Sequence, residues 1–262
     1  MRSSRVGSST SKKMTSDGQD QGSEERNQQA EKIAENWRRV VERVHAAAER
    51  AGREPAEVAI VAVSTTHSAA DALAVLKAGA RDLGENYVQE MVEKREELEA
   101  RGAPPVRWHF IGHLQRNKVK YLTPFCAMIH AVDSERLAVE IDRRASEQGR
   151  RQAVLVEVNV SGEASKFGVA PEAVTSLVEV LEGLEWVELR GLMTMAPYSE
   201  DSEASRPIYR RLRQLAEKLR ASGAPSKVLS ELSMGMTQDF EVAIEEGATL
   251  VRIGTAIFGP RT

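Results

Sequence analysis

Cysteine is scarce in this chain: Cys126 is the only one among 262 residues. A single cysteine excludes an internal disulfide and a cysteine-rich metal site, and it fits a reducing cytoplasm. No apolar run approaches the roughly 20 residues that a membrane span needs, and no apolar segment follows the basic N-terminus, so we expect neither a membrane helix nor a secretory signal. The net charge of −3 gives no basic footprint for nucleic acid.

The beginning of the chain is also poor in apolar residues. Residues 1–28 are mostly Ser, Gly, Lys, Asp, Glu and Gln, which bury too little apolar surface to offset the entropy of ordering. We therefore predict a disordered tail over 1–28 and a single domain over 29–262. Ile33, Trp37 and Val40 open an apolar pattern with helical spacing, which predicts a helix before the first strand.

After this helix, β-like and helical segments alternate about eight times. The predicted strands are 59–63, 81–84, 108–111, 128–132, 153–160, 187–193, 228–232 and 250–253. The predicted helices between them are 69–78, 88–100, 117–122, 134–148 (capped by Ser134), 171–181, 202–221 and 238–246. The alternation favours a single (β/α)8 barrel over a doubly wound open sheet, because the count is eight and no dinucleotide-type glycine turn follows the first strand.

Polar clusters follow several of these strands, where a barrel has its active site. Ser64–His67 follows the first strand and Gly84–Tyr87 the second. A Gly/Ser-rich loop at 161–168 carries Lys166, which can contact a phosphate or remain a solvated surface charge. Each cluster also fits an ordinary turn or helix N-cap, so both interpretations stay open here.

The segments after strands seven and eight give the strongest physical signal. Ser233–Thr237 and Arg252–Gly259 are rich in small residues whose backbone N–H groups can converge on an anion, although ordinary glycine turns remain the alternative. His109 and His113 straddle a strand end with no ligand pattern of carboxylates. We predict no metal there, a packed His109 and a mouth-facing His113.

Taken together, these segments resemble the pyridoxal phosphate homeostasis proteins (the YggS/PROSC family), whose barrel is similar to the N-terminal domain of alanine racemases. The likeness runs from about Ile33 to Gly259. Each motif is modest alone, but their order and spacing are specific. The matching segments are 61–67, 84–87, 108–112, 115–118, 165–168, 191–193, 233–236 and 251–255.

This resemblance implies a barrel of pyridoxal phosphate fold type III that binds pyridoxal 5′-phosphate without turnover and buffers it or delivers it to dependent apoenzymes. It further implies a cytoplasmic protein, which we expect to be a monomer. By this likeness Arg252 lies near the pyridine ring, Asn86 near its polar edge, and Lys166 contacts a second phosphate. The residues expected to hold the first phosphate are Ser233, Met234, Gly235, Gly254 and Thr255.

The chain departs from the family at Thr65. In the family a lysine at this position forms a Schiff base with the cofactor, and only a primary amine can form that bond. We therefore expect binding through the phosphate alone, noncovalent and weakened. A racemase-like enzyme, or a barrel that serves a protein partner, remain the alternatives, and both the missing lysine and the lack of a racemase's second domain oppose the enzyme.

Overall fold

The computed structural model of the chain describes residues 16–163, 167–222 and 229–260. Its first helix, α1, spans Ser16–Arg50 and packs against α2, α8 and α9. The predicted disorder of residues 16–28 is therefore wrong, whereas residues 1–15 lie outside the described ranges. Glu, Gln and Arg are good helix formers, and a helix propagates readily from its packed part, where Ile33 and Val40 are buried.

The strands close into a parallel barrel in sequence order. Its strands are β1 (Ala59–Val63), β2 (Asp82–Glu85), β3 (Arg107–Phe110), β4 (Met128–Val132), β5 (Gln152–Glu157), β6 (Val187–Met193), β7 (Glu231–Ser233) and β8 (Leu250–Ile253). Pairing of Ala59 with Leu250 joins β1 to β8, which confirms the barrel and excludes the open sheet.

The helices alternate with these strands, as the sequence predicts. They are α2 (Ala69–Lys77), α3 (Val88–Ala100), α4 (Val119–Leu122), α5 (Glu135–Glu147), α6 (Val174–Glu182), α7 (Arg206–Ala221), α8 (Phe240–Glu245) and α9 (Thr255–Phe258). Within the described ranges, no helix has both the length and the apolar character to cross a membrane.

Alternation along the strands creates two apolar layers. Ala62 faces the large core between the sheet and the helices, while its neighbour Val61 faces the barrel interior with Leu155, Met193 and Leu250. This small interior cluster fills only part of the barrel. The remaining part of the barrel interior is polar and extends from the strands to the candidate site.

Two local predictions differ from the structure. Ser134 occupies the N-cap of α5 with an extended backbone, but its hydroxyl donates to Asp133 Oδ1 at 3.1 Å instead of capping the helix. The seventh strand begins at Glu231 and includes Ser233, so it lies later than the predicted 228–232. An apolar run shows that a strand exists, but its pairing partners decide where it starts.

Candidate functional site

The mouth of the barrel holds two adjoining compartments that share Thr65, Asn86, Ile111 and Met195. The smaller, here called the β8 compartment, has a volume of about 340 Å³. The larger, called the β5 compartment, has a volume of about 630 Å³. Both volumes lie in the range of small-molecule sites, roughly 300–1,000 Å³.

The β8 compartment brings together five of the predicted cofactor residues: Thr65, Asn86, Arg252, Gly254 and Thr255. From the loop after β7, its wall contains Met236 and Thr237, which lie in the segment Ser233–Thr237 predicted to bind an anion, and Gln238, which we did not predict. The other lining residues are Val63, His67, Ile111, Met195 and Tyr198. Ser233, Met234 and Gly235 are not among the lining residues. The loop after β7 thus contributes to the compartment, but through residues further along the chain than the predicted cofactor residues.

Gly235 redirects the chain between β7 and this wall. Its φ of +91° lies in the left-handed region, and a Cβ added there would lie 2.5 Å from the Cβ of Ala243. The loop that follows is fixed by Asp239, whose carboxylate accepts hydrogen bonds from the Met236 amide at 2.8 Å and from the Tyr209 hydroxyl at 2.6 Å. The position of Met236–Gln238 is therefore set by buried contacts.

Backbone donors are available at this compartment. Within the described residues, the amides of Gly254 and Thr255, which line the compartment, make no hydrogen bond to a protein acceptor. A Cβ added to Gly254 would lie 3.2 Å from the carbonyl oxygen of Val63, so a larger residue would crowd the wall. Unpaired amides around a small cavity are the usual means of binding a phosphate.

Thr65 is buried just after β1 and is held by Asn86. Its Oγ1 accepts hydrogen bonds from the Asn86 backbone amide at 2.9 Å and from the Asn86 side-chain amide at 3.0 Å. These bonds fix the position of the Asn86 side chain. Its Oδ1 is the polar atom of that side chain that makes no hydrogen bond to Thr65. Thr66 follows with a φ of +70°, an uncommon conformation for a β-branched residue, and its amide donates to Glu90.

A buried lysine that the sequence analysis missed lies beside Thr65. Lys94 Nζ donates to the Ser64 carbonyl at 2.6 Å, to Glu85 at 2.5 Å and to Glu90 at 2.9 Å. Because three acceptors hold the Lys94 ammonium, its three protons are all used. The signal was its place on the apolar face of α3 with Met91 and Leu98.

A chain of hydrogen bonds crosses the barrel interior from β2 to β8. His109 Nε2 lies 2.8 Å from Asp82 Oδ1, and His109 Nδ1 lies 2.9 Å from His130 Nε2. His130 Nδ1 lies 2.9 Å from Ser233 Oγ, which accepts a bond from Arg252 Nη1 at 2.6 Å. His109 is thus packed, as predicted. His130 was not singled out from the sequence.

Burial, then the nearby His109 and Arg252, hold the pKa of His130 well below its usual range, which keeps that ring neutral. When His109 is neutral as well, one set of tautomers satisfies every pair in this chain. In this set Arg252 donates to Ser233, Ser233 donates to His130, His130 donates from Nε2 to His109, and His109 donates from Nε2 to Asp82. Ser233 then directs its hydroxyl proton at His130 and not at a ligand.

The two ends of this chain carry opposite charges. Burial raises the pKa of Asp82, but hydrogen bonds from His109 and Arg107 outweigh it, so the pKa is lower than usual. Arg252 is buried and also donates to the Thr194 carbonyl at 2.9 Å. Burial lowers its pKa, yet an arginine stays protonated in a protein. A fixed guanidinium thus faces the β8 compartment.

The β5 compartment contains a buried carboxylate. Glu157 ends β5, is 3% exposed and lines this compartment, and its side-chain carboxylate makes no hydrogen bond or ion pair with the described residues. Burial, then the nearby Asp133, raise the pKa of Glu157 to about 7, although Arg252 opposes this. The sequence analysis did not single out this residue.

Two further predictions concern residues of the mouth. His113 lines the β5 compartment at the mouth, as predicted, and its ring stacks on Phe167 at a centroid distance of 4.0 Å. No group of three or more potential metal-ligating side chains occurs in the described part of the chain. Lys166 lies outside the described residues.

The fold and the site define a class of protein: a parallel (β/α)8 barrel with a small-molecule site at its C-terminal mouth. The family model for the N-terminal domain of alanine racemase matches residues 29–262. An alanine racemase of Clostridium difficile shares this fold, with a TM-score of 0.66 at 17% identity over 86% of this chain and 57% of that one.

Closer relatives identify the family. The pyridoxal phosphate homeostasis protein of Aquifex aeolicus is 45% identical over 227 residues, or 87% of this chain and 97% of that protein. The structure of PipY from Synechococcus elongatus with pyridoxal phosphate bound has a TM-score of 0.73 at 35% identity, covering 84% of this chain and 100% of that one. The chain therefore belongs to the pyridoxal phosphate homeostasis protein family.

Proposed function

We propose that this protein binds pyridoxal 5′-phosphate noncovalently in the β8 compartment and takes part in cofactor homeostasis without catalysing a reaction. One observation carries the proposal. Five residues predicted for this cofactor, namely Thr65, Asn86, Arg252, Gly254 and Thr255, line one compartment of about 340 Å³. The names of the relatives, and the cofactor in PipY, support the same ligand.

The chemistry of the compartment fits each part of the cofactor. The unpaired amides of Gly254 and Thr255 suit the phosphate, and the guanidinium of Arg252 suits the ring. When bound, pyridoxal phosphate supplies an electrophilic aldehyde. Thr65 has no amine to react with it, and the amine of Lys94 is held by three acceptors.

Gly254→Val tests the phosphate site. Its branched side chain would crowd Val63, so we expect the dissociation constant for pyridoxal phosphate to rise about tenfold or more, with unchanged circular dichroism. Equilibrium dialysis measures the effect. Gly183→Val, at a glycine with a φ of −79° where an added Cβ would lie 3.4 Å from the Val180 carbonyl oxygen, is the matched glycine control. Equal affinity of Gly254→Val and the parent protein would place the phosphate elsewhere.

The noncovalent mode has its own test. After incubation with pyridoxal phosphate and borohydride reduction, peptide mapping of the parent protein should show no label in the segment around Thr65 or on Lys94. A label on Lys94 would show that this amine replaces the family lysine and would contradict the proposal. Assays for racemisation of alanine should remain at the background rate.

We further propose a monomeric, cytoplasmic protein that supplies the cofactor to dependent apoenzymes. The single cysteine supports a reducing compartment, and Cys126 is buried with its thiol pKa raised to about 12 by burial. Sedimentation of the protein measures its molecular mass in solution and so tests whether it is a monomer. Transfer is tested by mixing the loaded protein with an apo-aminotransferase and comparing its reactivation with that by free cofactor at equal concentration.

A further inference from the structure

The β5 compartment shares a wall with the proposed cofactor compartment and is nearly twice as large. Thr65 and Asn86 belong to both, so a ligand in one space can reach into the other. The proposed function uses only the smaller one. The larger compartment therefore needs a separate explanation, and the most unusual residue in its wall is Glu157.

Glu157 is an acceptor group without a donor. It is 3% exposed, yet no hydrogen bond or ion pair to its carboxylate is recorded within the described residues. Buried carboxylates are normally paired or hydrogen-bonded, because burying an unpaired charge is costly. Arg252, whose charge lowers the pKa of Glu157, directs its donors to Ser233 and Thr194 instead.

The surroundings of Glu157 favour a cationic ligand. The charge of Asp133 raises the pKa of Glu157, although Asp133 itself does not line the compartment. Lys118 lines the same compartment but forms no recorded ion pair with Glu157, and His113 Nδ1 lies 3.7 Å from Asp133. A bound cation would offset the repulsion between the two acids and restore the charge of Glu157.

The cation has to be small and a hydrogen-bond donor. A metal ion is disfavoured, since no group of three or more potential ligands occurs in the described residues. A primary ammonium needs only hydrogen-bond acceptors. Oxygen atoms that can accept its hydrogen bonds come from the Glu157 carboxylate, from Asn86 Oδ1 and from the part of the shared wall at Thr65. Since position 65 holds no lysine, no protein amine from that position competes for this space.

We infer that the β5 compartment binds a primary ammonium group through Glu157, next to a vitamin B6 phosphate held in the β8 compartment. The ammonium is carried either by the vitamer itself, as in pyridoxamine 5′-phosphate, or by a separate small amine. The part of the inference that concerns the vitamer rests on the proposed function, whereas the part that concerns the ammonium site in the β5 compartment does not. The protein would thus hold amine forms of the cofactor that a lysine at position 65 would exclude.

Three phosphorylated vitamers with the same ring test the first source. Pyridoxamine 5′-phosphate carries an ammonium where pyridoxine 5′-phosphate carries a hydroxyl group, so their affinity ratio at pH 8 isolates that group. A hydrogen-bonded ion pair of this kind predicts a preference of about tenfold or more for the amine. Pyridoxal 5′-phosphate serves as the reference ligand, and calorimetry provides all three constants.

Variants of Glu157 assign the preference. Glu157→Gln keeps the shape and removes the charge, so the ratio should fall to within about twofold of unity, while Glu157→Asp should retain most of it. Glu49→Gln, an exposed acid on α1, is the matched control and should behave as the parent does. Circular dichroism and the thermal midpoint check that each variant is folded.

Ethylammonium, titrated with and without pyridoxine 5′-phosphate, tests the second source. Binding that Glu157→Gln abolishes, without a preference between vitamers, assigns the compartment to a separate amine. If neither pyridoxamine 5′-phosphate nor ethylammonium responds to Glu157→Gln, the inference is wrong. Failure of all three vitamers to bind overturns the proposed function instead, while the ethylammonium arm still decides the compartment.

Discussion

Thr65 Oγ1 accepts two hydrogen bonds from Asn86, one from its backbone amide at 2.9 Å and one from its side-chain amide at 3.0 Å. Thr65, where the sequence analysis expects a lysine in the family, is therefore an integrated part of the wall, and it fixes the asparagine expected at the polar edge of the cofactor. Arg252, Gly254 and Thr255, also predicted for the cofactor, line the same compartment. This arrangement permits a direct test of what the lysine alone contributes.

We predict that Thr65→Lys restores covalent attachment of pyridoxal phosphate. The position is buried at the mouth, and desolvation lowers the pKa of a lysine and so increases its free amine. Peptide mapping after borohydride reduction should locate the label on the introduced lysine. Thr65→Met, with similar length and no amine, is the control. A folded Thr65→Lys protein without label would mean that the rest of the site no longer positions the aldehyde.

We predict that Gly235→Ala destabilises the protein by about 2–4 kcal/mol, combining a left-handed backbone with a clash in the core. An added Cβ would lie 2.5 Å from the Cβ of Ala243. Gly102→Ala has a similar φ of +66° but nothing within 4 Å, so it should cost only about 1 kcal/mol. Urea unfolding measures both. Equal losses for the two variants would show that backbone strain, and not packing, requires Gly235.

We predict that Lys94→Met costs about 3–5 kcal/mol, because it leaves Glu85 as an uncompensated buried charge. Burial already raises the pKa of Glu85, which shows how unfavourable that environment is for a lone carboxylate. The double variant Lys94→Met/Glu85→Gln should recover part of the loss. Arg101→Gln breaks an exposed pair with Glu97 and should cost less than about 1 kcal/mol.

Much of the architecture was predictable from the sequence, because apolar runs such as Ala59–Val63 and Leu250–Ile253 mark buried parallel strands. The loops of the site were predictable for the same reason, since their place after the strands follows from the barrel. Which residues of the loop after β7 line the wall was not predictable, because the turn at Gly235 decides which side chains reach the cavity.

Contacts between distant strands could also not be predicted from the sequence. A histidine inside an apolar strand, such as His130, gives no sign that it meets Ser233, which lies 103 positions later. Glu157 was missed because one acid at the end of a strand is usually solvated, and only the closed barrel buries it. The resemblance indicated the proposed ligand, whereas only the structure revealed the unpaired carboxylate of Glu157 beside the proposed site.

The buried histidine also predicts how stability depends on pH. The pKa of His130 is well below its usual value of about 6.5, so the unfolded chain binds a proton that the folded protein does not. The stabilisation is therefore fully present above about pH 6.5 and is lost as the pH falls, by up to about 2 kcal/mol between pH 6.5 and pH 5.

We predict that His130→Gln flattens this dependence, because glutamine can bond to His109 and Ser233 without titrating. Urea unfolding between pH 5 and pH 8 measures the slope, and His45→Gln, at an exposed position on α1, should keep the slope of the parent. Glu157, with its raised pKa, contributes with the opposite sign, but it is present in all three proteins and cancels in the comparison. Equal slopes for the parent and His130→Gln would show that the ring is protonated inside the barrel. The tautomers assigned from Arg252 to Asp82 would then have to be reversed at Ser233, which would free its hydroxyl proton for a ligand.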